Sequence, residues 1–109
     1  MKLVYVAMPY SHPNPDVIAE RMEVFYKIAA DLLLQGKMVI SPVLNHSICK
    51  RYNVPSDYKF WGDYSRTLLS KCDEIVVLEM DGWTRSAGVI DEIATAKDLH
   101  IPIIFMKVK

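Results

Sequence analysis

Asp81-Gly82-Trp83-Thr84-Arg85-Ser86-Ala87-Gly88-Val89-Ile90-Asp91-Glu92 lies between two segments of opposite character. Before it runs Ile75-Val76-Val77-Leu78, apolar and β-branched, which reads as a strand buried on both faces of a parallel sheet. After it, Val89 to Leu99 reads as a helix. The stretch is therefore a strand-to-helix connection at the carboxyl end of a strand, the edge where open parallel sheets bind ligands. Gly82 permits a tight backbone and Ser86 suits a helix N-cap. The amides of Ala87 and Gly88 then become unpaired donors at the positive end of a helix dipole, suited to an anion. Gly88, Glu92 and Ala96 recur every four residues and share one helix face. A carboxylate among small residues, one turn into such a helix, is a candidate catalytic group. Spacing alone leaves a second reading open: any strand–helix unit needs such a loop, and Glu is an ordinary helix residue.

Working outward, the same alternation continues. Leu3 to Ala7 reads as the first strand, followed by a loop broken at Pro9, Pro13 and Pro15. Asp16 to Gln35 reads as a helix, with Ile18, Met22, Phe25, Ile28-Ala29 and Leu32-Leu33 as its apolar stripe and Gly36 as its stop. Lys37 to Ile40 reads as the second strand. An irregular segment from Val43 to Pro55 follows, with a helical turn around His46 to Arg51. Ser56 or Asp57 caps a helix running to about Lys71. Glu74 to Glu79 reads as the third strand and His100 to Phe105 as the fourth. Alternating strands and helices predict an α/β protein with helices on both faces of a parallel sheet. Right-handed crossovers reduce the choices to a doubly wound, Rossmann- or flavodoxin-like order, 2-1-3-4, of four to five strands. The switch point then sets the Met8–Ser11 loop beside the Asp81–Ser86 loop.

The chain has 109 residues, which predicts one domain over residues 1–109. It is 51% hydrophobic and carries 13 basic and 13 acidic residues. That balance argues against a dedicated DNA or RNA binder, whose affinity comes largely from phosphate neutralisation. It also supplies no basic face for a membrane, and no apolar run approaches the roughly 20 residues of a span. Pro9 interrupts the apolar N-terminus too soon for a signal peptide. Cys49 and Cys72 show no metal-binding spacing and read as free thiols of a cytoplasmic protein. His12, His46 and His100 show none either, so neither a metal nor a cofactor is expected. Dinucleotide, P-loop and nucleophile-elbow motifs are all missing from the sequence. His46 follows a strand end, and two readings stand for it: a pocket residue or a plain surface histidine. Phe60, Trp61 and Tyr64 form an aromatic group suited to core or lid packing, though a flat ligand also fits among them.

Tyr5-Val6-Ala7-Met8-Pro9-Tyr10-Ser11-His12, Arg21, Gly36, Ser41-Pro42, Trp61, Cys72-Asp73 and Gly82-Trp83-x-x-Ser86-x-Gly88-Val89-x-x-Glu92-x-x-x-Ala96 together resemble one family over nearly the whole chain. It is the DUF1937 group of the nucleoside 2-deoxyribosyltransferase-like superfamily. The resemblance implies an enzyme that cleaves or transfers the N-glycosidic bond of nucleosides or their 5′-monophosphates. Glu92 would be the nucleophile on C1′ and Tyr5 the tyrosine that places it. Ser86 would meet a 5′-phosphate. Met8, Pro9, Tyr10 and Ser11 would form the first loop against the nucleotide, and Gly82, Trp83 and Gly88 the second. A homo-oligomer is implied as well. One departure stands out: where related sequences carry a second aspartate, this chain has Ser65. Asp63 lies two residues earlier, about 200° round a helix, and substitutes only if the helix start is irregular. Without that second acid, the same cleft suits a protein that binds or sequesters nucleotides.

Overall fold

A computed structural model describes residues 1–108 of the chain. The strands are β1 (Leu3–Ala7), β2 (Met38–Ile40), β3 (Glu74–Glu79) and β4 (Ile103–Lys107). The helices are α1 (Pro15–Leu34), α2 (His46–Tyr52), α3 (Tyr58–Leu69) and α4 (Ala87–Asp98), with 3-10 turns at Pro42–Asn45 and Trp83–Arg85. The four strands form one parallel sheet in the order β2-β1-β3-β4. This is the doubly wound order expected, with four strands rather than five among the described residues.

Side-chain alternation on the strands sets the layers. Val4, Val6 and Met8, with Val76, Leu78 and Met80, point to one face and meet Met22, Phe25, Ala29 and Leu32 of α1. Tyr5 and Ala7, with Ile75 and Val77, point to the other face and meet Leu69 of α3 and Val89 and Ala96 of α4. Each such fully buried aliphatic side chain contributes roughly 1.5–3 kcal/mol of transfer free energy. The parity has a functional consequence: Tyr5, at an odd position, emerges on the face that carries α4 and Glu92.

Local chemistry sets the boundaries. Asn14 caps α1, its side chain accepting from the Asp16 amide at 2.9 Å, and Pro15 takes the first helical position. Gly36 closes the helix with a φ of 83°. Leu33, expected in the apolar stripe, is exposed: Leu32 takes the sheet-facing position in the last turn, and Leu33 lies about 100° further round the helix. Ser86 caps α4 by accepting from the Val89 amide at 3.3 Å, so the helix begins at Ala87 rather than Val89. The fourth strand begins at Ile103, three residues later than expected. His100 turns the chain through a left-handed conformation, φ 57°, and Pro102 offers the sheet only its carbonyl, which accepts from the Ile75 amide at 3.0 Å. Cys49 and Cys72 are free thiols. Among the described residues, no helix is long and apolar enough to cross a membrane.

Candidate active site

The carboxyl ends of β1 and β3 open into a cleft of about 460 Å³, within the range that holds a small organic ligand. Arg21, reaching over from α1, joins the two loops that frame it. Its Nη1 donates to the Ser11 carbonyl at 3.2 Å and its Nη2 to the Asp81 carbonyl at 3.1 Å. The adjacency of the first and second loops expected from the switch point is therefore realised through one side chain. Gly82 makes this possible. It sits at φ 89°, a left-handed backbone that other residues adopt only with strain; a Cβ there would merely touch the Arg21 guanidinium at 3.4 Å, so the backbone, not the space, calls for glycine.

Glu92 lines the cleft from the second turn of α4 and is only 6% exposed. The Tyr5 hydroxyl, rising from β1, donates a hydrogen bond to its Oε2. No cation pairs with it among the described residues. Burial therefore pushes the Glu92 carboxyl up to about 8; the Tyr5 hydrogen bond opposes the shift and the neighbouring Asp91 charge adds to it. Tyr5 in turn is held firmly in its protonated form. Burial is the main cause, and the Glu92 charge and hydrogen bond add to it. The pair is thus a buried carboxyl and a phenol that always has a proton to donate.

Met8, Pro9, Tyr10, Ser11, His46, Gly82, Ser86 and Gly88 all line this cleft, so the expected binding residues are brought together with Glu92. Trp83 and Asp63 are not. Trp83 turns back against the second core and stacks at a tilt on Phe105, ring centroids 5.7 Å apart. Its 3-10 turn, unrecognised in the sequence, rotates it away from the ligand side. Asp63 is a correction too. Its side chain is 98% exposed and pairs with Arg66 at 2.5 Å. The helix is regular there, so the inward position belongs to Ser65, which is 1% exposed and lines the cleft. Glu92 is the sole carboxylate in the lining among the described residues.

Tyr58 and the role of Arg21 escaped the sequence reading, whereas Arg85 and Trp61 lie where the sequence allowed a ligand. Tyr58 opens α3 and lays its ring over Gly88, where an added Cβ would meet it at 3.0 Å. Its hydroxyl donates to Asp91 Oδ2 at 2.7 Å, and Arg66 donates to the same oxygen at 2.9 Å. These bonds bind α3 to α4 across the cleft wall. Arg21 and Arg85 both line the cleft, and neither forms an ion pair among the described residues. Both guanidinium groups converge on Gly82, within 3.4 and 4.0 Å of the position a Cβ would take. The partners of Arg21, Ser11 and Asp81, lie 10 and 60 positions away in sequence, so no local spacing announced its role. Trp61 also reaches the cleft, edge-on to Tyr64 at 4.9 Å.

The arrangement is that of a parallel α/β protein with a cleft of mixed polar and apolar lining at the switch point of its sheet. Among the described residues its lining has one carboxyl and two guanidinium groups that form no ion pair, of which Arg21 is held by the two loop carbonyls. Among the described residues, no three His, Cys, Asp or Glu side chains gather as a metal-holding group. The chain matches the family described as Domain of unknown function (DUF1937) over residues 2–108, and belongs to it. No curated protein matches the chain.

Proposed function

We propose that the cleft binds a nucleoside 5′-monophosphate and that Glu92 cleaves its N-glycosidic bond by attack on C1′. This is the chemistry of the nucleoside 2-deoxyribosyltransferase-like superfamily that the sequence resembles. The observation that carries the reading is Glu92 itself: a buried carboxyl without a counter-cation, held by Tyr5, as the single acid of a ligand-sized cleft. Cleavage passes through an oxocarbenium-like state whose positive charge a carboxylate stabilises and then captures covalently. Water completes hydrolysis; a second base completes transfer. Phosphate recognition rests on Arg21, Arg85 and the amides behind the Ser86 cap, which all favour an anion. A carboxylate in place of Ser86 would repel a group carrying about −1.5 to −2 charges. A cytoplasmic setting and self-association belong to the same reading.

A second reading has its own observation. Ser65 fills the inward position where a second acid is expected, and a cleft with one carboxyl suits a protein that only binds nucleotides. Incubation with a panel of nucleosides and nucleoside monophosphates, followed by chromatography, separates the two. Free base supports the enzyme. Tight calorimetric binding without free base supports the binder and defeats the glycosidase.

A further inference from the structure

Tyr10 and His46 face each other in the same cleft, and the reading above gives them no task. The Tyr10 hydroxyl lies 2.5 Å from His46 Nδ1. The rings meet edge to face, centroids 5.6 Å apart at 72°. Burial pushes Tyr10 up and His46 down, and the nearby Lys50 charge adds to the shift on His46. Both groups are thereby kept neutral at pH 7. A neutral imidazole that accepts at Nδ1 carries its proton on Nε2. The start of α2 is also fixed against α3: Asn45 Nδ2 donates to the Tyr64 hydroxyl at 3.2 Å, one residue from each of His46 and Ser65. His46 and Ser65 thus line the cleft from neighbouring segments.

We propose that His46, oriented by Tyr10, donates a hydrogen bond from Nε2 to an acceptor on the departing base, and so does part of the work of the missing carboxylate. The inference rests on the N-glycosidase reading. In the step, the C1′–N bond breaks and its electron pair passes to the base, while a C1′–O bond forms to Glu92. The Nε2–H bond spreads the charge growing on the base. The base then takes its proton from solvent and the imidazole stays neutral. Tyr10 is a positioning residue: its hydroxyl fixes the tautomer.

The test compares two substrates on the wild type, H46A and Y10F: 2′-deoxyguanosine 5′-monophosphate and its N7-methylated form. The methylated base is cationic and leaves as a neutral molecule without help. H46A should lose roughly 10²-fold on the unmethylated nucleotide, the lower end for a lost acid–base group, and at least ten times less on the methylated one. Equal losses on both, or no loss on either, overturn the role of His46 alone. No release of either base by the wild type overturns the glycosidase reading, and this inference with it. Nitrogen NMR of the labelled imidazole gives an independent check. The wild type should show Nδ1 bare and Nε2 protonated, with that preference lost in Y10F. A proton on Nδ1 in the wild type would overturn the assignment even if H46A failed to fold.

Discussion

Glu92 and Glu74 are equally buried, each 6% exposed, and lie at opposite edges of one sheet. Their surroundings differ in kind. Glu74 begins β3 at the amino edge, with Lys2 at 3.7 Å and Lys37 at 3.9 Å. Glu92 lies at the carboxyl edge, with only the Tyr5 hydroxyl for company and its carboxyl pushed up to about 8. One carboxylate begins β3 beside the lysines that precede β1 and β2, so it has counter-charges at three strand starts even though its Oε1 accepts no hydrogen bond among the described residues. The other is desolvated with a hydrogen bond from Tyr5 but no counter-charge among the described residues, an arrangement that costs stability and makes sense when a ligand supplies the positive charge. Burial alone does not distinguish the two carboxyls; the counter-charge does.

The largest effect that can break this contrast is on turnover. E92Q should abolish base release, by 10³-fold or more as roughly expected for a lost nucleophile, with the fold intact because the volume hardly changes. E74Q should leave turnover within about two-fold and instead cost about 1–2 kcal/mol of stability, since Lys2 and Lys37 still reach solvent. If E74Q proved the inactive variant, the contrast would be reversed.

The next effect is on stability against pH. The folded protein keeps a proton on Glu92 up to about 8, whereas the ordinary value is 4.5. Over that window the folded state binds more protons than the unfolded one, so stability falls as pH rises. Urea titrations should show the wild type losing stability relative to E92Q between pH 4.5 and 8, by an amount of the order of 4 kcal/mol. A constant difference across that range would mean that Glu92 is not held protonated. If Glu92 is the proposed nucleophile, turnover should also rise toward pH 8 as the carboxylate forms.

Y5F removes the one hydrogen bond that opposes the shift on Glu92. The alkaline rise in rate should move to higher pH, with about 1 kcal/mol lost in stability. An unmoved profile would detach Tyr5 from the site. The smallest effect sharpens the ligand side. S86D should weaken 5′-monophosphate binding by about ten-fold more than nucleoside binding, as calorimetry reads it; equal loss for both would remove the phosphate from this end of the cleft.

How much of this was legible in the sequence follows from how far each cause reaches along the chain. Ile75-Val76-Val77-Leu78 and the stripe Met22, Phe25, Ala29 and Leu32 carry their periodicity locally, so the strands, helices and sheet order could be read. Ser86 and Glu92 could be placed because a cap and one helical turn lie within a few residues. The Trp83–Arg85 turn was not visible, since nothing in three residues distinguishes it from an open loop, and Trp83 was assigned to the ligand in consequence. Asp63 failed for a geometric reason: a regular helix sends positions 63 and 65 to opposite sides. Arg21, Tyr58 and Asp91 act through partners 60 and 33 positions apart, distances that only the fold brings together.

The central claim is that Glu92 forms a covalent bond to the sugar. Wild-type protein quenched in acid during turnover of a deoxynucleoside monophosphate, then digested and mapped by mass spectrometry, tests it directly. The account predicts a deoxyribosyl phosphate adduct on Glu92, absent from E92Q and from protein without substrate. Sustained release of base with Glu92 unmodified, or with the adduct on another residue, would contradict it.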